Sequence, residues 1–247
     1  MKKIAEKFII LISSLLIFKY LRIRVREKLF CIFLYNEAEK FGYHNDKAKK
    51  KLKRSGLSEF VLSLIKEDSI LIDCGANIGK FTNQWAKKGG IIHAFEPHSG
   101  CFKLLQDKFS NNPNVHLYPN AVGCSNKKVK LYLMEDSSDE DTSIKTESSS
   151  LFSEKINVSS NNYINVDMIN ICEFIERFNQ KVTILKLDVE GSEISIINKI
   201  IDLGLHKKID FIVAEIHKNI PSIQEDIIAL KNKINSHFVD NISLDWE

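Results

Sequence analysis

The run Ile72-Asp73-Cys74-Gly75-Ala76-Asn77-Ile78-Gly79-Lys80-Phe81-Thr82 constrains the fold of this chain more than any other stretch. An apolar strand runs up to an acid, and two glycines follow where a helix should begin. Junctions of this kind lie at the carboxyl ends of strands in open α/β sheets, where nucleotide-like ligands bind. The spacing is Asp-x-Gly-x-Asn-x-Gly, not the Gly-x-Gly-x-x-Gly of a dinucleotide site. Gly75 lets the backbone approach a ligand without a Cβ in the way, and Gly79 lets the helix start close to the strand. A pyrophosphate would want bare N–H groups at a helix N-terminus and no carboxylate. Asp73 therefore points to a ligand that carries positive charge, with Ala76 and Asn77 in the same turn. The plainer reading is a tight turn with a surface aspartate.

The chain around this turn alternates between strand and helix patterns. An amphipathic pattern at Leu57, Phe60, Val61, Leu64 and Ile65 reads as a helix leading into the domain. Strands follow at Ile70–Asp73, Ile91–Glu96 and Val115–Tyr118, with helices at Gly79–Lys88 and Ser99–Phe109 between them. Gly89-Gly90 suits a left-handed C-terminal cap. Alternation of this kind implies a parallel sheet covered by helices on both faces. Val129–Leu133 has period two and reads as an antiparallel strand, and Tyr163–Met168 as a further one. The stretch Glu135–Ser150 between them is acidic and serine-rich, which reads as a loop. Asn170-Ile171-Cys172-Glu173 resembles a capping box. Strand, helix and strand then resume at Val182–Asp188, Ser192–Leu203 and Ile209–Ile216. A long helix opens at Pro221-Ser222, and a last strand is expected within His237–Leu244.

Each core strand ends in candidate chemistry. Glu96, followed by Pro97, lies 23 residues after Asp73, and an acid at the second strand end, about 20 residues on, can hold both ribose hydroxyls. Asn120, followed by Ala121, can offer hydrogen bonds to an adenine edge or serve as a turn asparagine. In Leu185-Lys186-Leu187-Asp188-Val189-Glu190-Gly191, Asp188 falls at a strand end facing the crevice beside Asp73. Asp188 or Glu190 could deprotonate a hydroxyl, or ligate a divalent cation through hard oxygens, although no metal site is evident. Glu193 reads as a cap of the next helix. Glu215 and His217 alternate onto one side of the fifth strand, and His217 is a candidate general base.

The formal net charge of +3 is too small to imply nucleic acid as a partner. Five scattered cysteines without a Cys-x-x-Cys pair argue against a disulfide framework or a zinc site, so a reducing, cytoplasmic setting is expected. Residues 1–54 form a basic extension before the domain at 55–247. Phe8–Phe18 is apolar but, as a helix, only about 20 Å long, short of the roughly 30 Å hydrocarbon core. With the basic residues around it, residues 1–28 suit a peripheral anchor on the inner face of a membrane. A helix packed on the domain, or a disordered arm, is the other reading.

In order and spacing, the pieces Asp73–Gly79, Ala94-Phe95-Glu96-Pro97, Asn120-Ala121-Val122-Gly123, Leu185–Glu193 and Ala214-Glu215-Ile216-His217 resemble the FkbM family of S-adenosylmethionine-dependent methyltransferases. Ser148-Ser149-Ser150-Leu151 is similar to that family's Ser-Ser-Leu element. The resemblance covers roughly residues 68–218. It implies a Rossmann-like class I methyltransferase fold with a mostly parallel seven-stranded sheet, preceded here by an N-terminal helical extension. It implies S-adenosyl-L-methionine as cofactor and O-methylation of a sugar, a glycan or another small-molecule hydroxyl. Two other classes stand beside it. One is a non-catalytic binding module that keeps the fold, against which the intact turn and Glu96 argue. The other is an NAD-dependent oxidoreductase, which the missing glycine pattern disfavours.

Overall fold

A computed structural model describes residues 56–134, 138, 150, 159–216, 223–244 and 246. The expected N-terminal extension, most of the acidic loop, His217 and the start of the last helix lie outside the described residues. So does the proposed membrane anchor. No helix among the described residues is long and apolar enough to cross a membrane.

Helix α1 occupies residues 56–64. The strands are β1 Ile70–Cys74, β2 Ile91–Phe95, β3 Val115–Tyr118, β4 Ala121–Gly123, β5 Lys127–Tyr132, β6 Tyr163–Asn170, β7 Val182–Leu187, β8 Ile209–Ala214 and β9 Ile242–Ser243. The longer helices are α2 Lys80–Ala86, α3 Ser99–Phe109, α4 Ile171–Glu176, α5 Glu193–Asp202 and α6 Gln224–Ser236. Six strands form the main sheet in the order β3-β2-β1-β7-β8-β9, and every neighbouring pair is parallel. The described sheet thus has six strands where seven were expected, and β9 at its edge is only 2 residues long.

Strand β1 is buried along its whole length, as a central parallel strand must be when helices cover both faces. Its alternate side chains enter two cores. Ile72 and Cys74 join Leu185 and Leu187 against α4, α5 and α6. Leu71 and Ile184 join Leu57, Phe60, Trp85 and Leu105 from α1, α2 and α3. Each such apolar side chain contributes about 1.5–3 kcal/mol by leaving water.

A second, three-stranded sheet has the order β4-β6-β5. Its β5–β6 pair is antiparallel, with Lys128 opposite Asp167 and Tyr132 opposite Tyr163. The capping box takes a different form from the one expected. Asn170 accepts from the Cys172 N–H at 3.2 Å, but its own N–H is held by Asn126 at 2.8 Å. Glu173 therefore receives the Asn170 side-chain amide instead.

Strand order reverses between β1 and β7. The chain leaves β1 toward β2 on one side and reaches β7 on the other, which opens a crevice above their carboxyl ends.

Candidate functional site

The turn after β1 is fixed from below and from the side. The N–H groups of Gly75 and Ala76 both donate to Phe95 O at 3.0 Å, which ties the turn to the end of β2. Gly75 has φ +77, and a Cβ there would stand 1.8 Å from Asp188 O. Only glycine lets the β1 turn pass the β7 turn this closely. A Cβ on Gly79 would meet Leu105 Cδ2 at 2.7 Å and Phe109 Cε2 at 2.8 Å, so this glycine seats α2 against α3. Asn77 also has positive φ, at 50°. Ala76 is buried in the α1–α3 core.

Glu96 stands beside this turn. Its Oε2 accepts from the Asn77 N–H at 2.8 Å and its Oε1 from the His98 N–H at 2.9 Å. Each carboxylate oxygen keeps a second acceptor direction. Burial pushes the Glu96 carboxyl up to about 7, against the opposing pull of those two N–H groups. A buried acid held in this way fits a diol, whose hydroxyls can donate to both oxygens.

Asp73 is fully buried, and its charge is engaged within the protein. Its Oδ2 accepts from Thr82 Oγ1 at 2.7 Å, and its Oδ1 lies 3.1 Å from Lys186 Nζ. Lys186 sits directly across from Asp73 in the β1–β7 register. The same ammonium lies 3.3 Å from Asp188 Oδ2 and donates to Gly75 O at 2.9 Å. Burial opposes its charge, but Asp73 and Asp188 outweigh burial and hold the ammonium above the ordinary lysine range. The cation on Asp73 is therefore Lys186, and the carboxylate that reaches the crevice surface is Asp188, whose side chain is 25% exposed. Cys74 lies beneath them; burial and Asp73 push its thiol up, so it is no nucleophile.

The turn after β7 is held by α5. Glu193 is buried at the start of that helix, and its carboxylate accepts from the Val189 N–H at 2.8 Å and the Gly191 N–H at 2.9 Å. It thus stitches the turn as well as opening the helix. Glu190 has φ 60, and its carbonyl accepts from Ser150 Oγ at 2.7 Å. Ser150, from the Ser-Ser-Leu element, also pairs with Tyr132 through two backbone bonds of 2.7 and 2.9 Å.

Asn120 donates from its side chain to Asp167 O at 3.2 Å, so its amide is oriented by the small sheet. Ala121 is buried as the first residue of β4. Pro97 links Glu96 to His98, the residue that precedes α3. Asp73, Gly75, Asn77, Glu96 and Asp188 are thus brought to one crevice. Three contributors were not singled out from sequence: Lys186, Thr82 and His98. Lys186 carried a readable signal, a lone basic residue two positions before Asp188 in an apolar strand. His98 is 2% exposed; its Nε2 bonds Ser138 O at 3.0 Å and its buried Nδ1 has no hydrogen-bond partner among the described residues. Among the described residues, no group of three or more His, Cys, Asp or Glu side chains is placed to hold a metal ion.

A family model described as the methyltransferase FkbM domain matches residues 73–240, beginning at Asp73 itself. Over 53 residues the chain is 36% identical to "Ribosomal RNA small subunit methyltransferase A" of Thermotoga neapolitana. That match covers 22% of this chain and 20% of the relative, so the chain spans about a fifth of that protein's length. No solved structure matches the chain.

Proposed function

The chain belongs to the FkbM methyltransferase family, and from that premise we propose that it methylates a hydroxyl oxygen of a sugar or other small-molecule acceptor, with S-adenosylmethionine as donor. The observation that carries the reading is Glu96, a buried carboxylate fixed by two backbone N–H groups at the reversal of strand order. The unpartnered Nδ1 of His98 beside it is a further polar atom that suits a ligand there.

When bound, S-adenosylmethionine supplies a methyl group already activated by its positive sulfur. In this reading Glu96 accepts the ribose hydroxyls. The Gly75–Gly79 turn lines the donor's path with backbone rather than side chains. Asn120, aimed by its bond to Asp167 O, offers its carbonyl oxygen to an adenine amine, with Pro97 and Ala121 as apolar neighbours.

Asp188 is the group that accepts the acceptor's hydroxyl proton. It is the carboxylate at the crevice surface, and Lys186 fixes one of its oxygens. Glu190, in the turn after β7, and His217, outside the described residues, are the other candidate bases. Most of the remaining work is alignment, because holding nucleophile and methyl in line removes entropy from the barrier. A divalent cation fits poorly beside Asp188, because the Lys186 ammonium already lies 3.3 Å from that carboxylate.

The test is methyl transfer from labelled donor to a panel of glycans, sugar derivatives and lipid extracts, using the wild type and Asp188→Asn. The reading expects label in an alkali-stable ether and a loss of at least ~100-fold in the variant, the range of general-base catalysis. Full activity in Asp188→Asn would remove that residue from its role.

A further inference from the structure

Beside the turn after β7 lies a cavity of about 460 Å³ that the donor site does not use. Its walls are the β4–β5 turn, strand β5, Met168 and the first turn of α5. The polar residues that line it include Ser125, Ser192, Ser195, Lys127, Lys128 and Lys130, and no Asp or Glu lines it among the described residues. Lys199 adds charge behind the wall, with its ammonium 2.8 Å from Cys124 O. Lys128 shares its charge with Asp167 at 3.0 Å, and Lys130 lies 3.9 Å from the centroid of the Tyr163 ring. Among the described residues, three lysines and three serines line the cavity, and of those lysines Lys128 is paired with Asp167. The one acid in the first turn of α5, Glu193, is committed to the Val189 and Gly191 N–H groups.

The cavity is physically joined to the turn that carries Asp188 and Glu190. Ser192, in its wall, directly follows Glu190-Gly191. Tyr132, also in its wall, pairs with Ser150, whose hydroxyl donates to Glu190 O. Its volume lies within the roughly 300–1,000 Å³ of small-molecule sites. Lysine ammonium groups and serine hydroxyls together suit a tetrahedral oxyanion.

We propose that this cavity is an anion subsite for the acceptor and takes the phosphate group of a phosphorylated sugar. The proposal rests on the methyltransferase reading above and narrows its acceptor class. It places the phosphate beside Ser192 and Lys127, with the hydroxyl to be methylated lying toward Asp188.

The experiment is calorimetric titration of the full chain at low salt with inorganic phosphate, a hexose phosphate and the parent neutral hexose. Lys127→Glu/Lys130→Glu serves as the variant; both side chains are exposed, so folding is preserved. The proposal expects saturable binding of the hexose phosphate, at least ~10-fold tighter than the neutral hexose and at least ~10-fold weakened in the variant, as loss of charged hydrogen bonds predicts. Binding of S-adenosylmethionine should be unchanged in the variant. Equal binding of the two hexoses, or phosphate binding that the variant leaves intact, overturns it. Binding to vesicles of anionic lipid without binding to the hexose phosphate also overturns it, in favour of a membrane headgroup. A wild type that binds hexose phosphate but no S-adenosylmethionine sinks the methyltransferase reading and leaves the anion site standing.

Discussion

Replacing Lys186 by methionine tests the electrostatic centre of the fold. Methionine roughly keeps the length and volume of the lysine stem, so the substitution removes a charge without opening a large cavity. It leaves Asp73, fully buried, with Thr82 Oγ1 as its hydrogen-bond donor at 2.7 Å. It also strips Gly75 O of its 2.9 Å donor. Breaking a buried ion pair by removing one partner costs about 3–5 kcal/mol, because the remaining charge is left without compensation. For a chain of this size, 1 kcal/mol moves the melting midpoint by about 2–4 °C, so Lys186→Met should melt ~6–20 °C below wild type. The assay is reversible denaturation of wild type, Lys186→Met, Asp73→Asn and the double variant. In the double variant the amide oxygen can still accept from Thr82, and no buried charge is stranded. It should recover at least half of the loss, and the cycle isolates the coupling. A single Lys186→Met within ~0.5 kcal/mol of wild type, the range of neutral surface changes, would show that Lys186 does not compensate the buried Asp73 charge.

Gly75→Ala should abolish donor binding and cost stability, since the new Cβ would stand 1.8 Å from the Asp188 carbonyl in a backbone of φ +77; denaturation and calorimetry read the two losses, and wild-type affinity would contradict the close crossing of the turns. Glu96 gives a pH signature. Its carboxyl titrates near 7 when folded against 4.5 ordinarily, so the folded state holds a proton that the unfolded chain has released. Stability should therefore fall as pH rises between these values, by at most about 1.4 kcal/mol per pH unit, and Glu96→Gln should remove that slope. Donor hydroxyls favour the carboxylate, so affinity should rise with pH across the neutral range and binding below pH 7 should release a proton; affinity that falls with pH would contradict this. Methyl transfer should survive a chelator, because the Lys186 ammonium 3.3 Å from Asp188 Oδ2 disfavours a cation there; loss of activity restored by a divalent cation would show otherwise.

The local elements were legible because their periods are clear. Ser99–Phe109 and Val115–Tyr118 fall where the pattern puts them, and β1, β2, β7 and β8 end within one or two residues of expectation. The short strand β4 was not, since three residues ending in glycine look like part of a turn. The carboxylates of the crevice were legible as strand-end acids, but their partners were not. Sequence spacing shows that Lys186 and Asp188 share a face. Only the non-local pairing of β1 with β7 shows that Lys186 meets Asp73. That pairing changes the meaning of the opening motif: Asp73 anchors the turn through an internal ammonium, rather than through a ligand's charge. Ser150 is similar, because its bond to Glu190 O joins residues 40 positions apart.

Titration of S-adenosylmethionine into the wild-type chain and into Glu96→Gln, with NAD as a control, decides whether Glu96 seats the donor. The account predicts one saturable site for S-adenosylmethionine and none for NAD. It predicts affinity ~10–100-fold weaker in the variant, the cost of about 1.5–3 kcal/mol for hydrogen bonds to a charged acceptor. Absence of S-adenosylmethionine binding to the folded wild type, or equal affinity in wild type and Glu96→Gln, would contradict it.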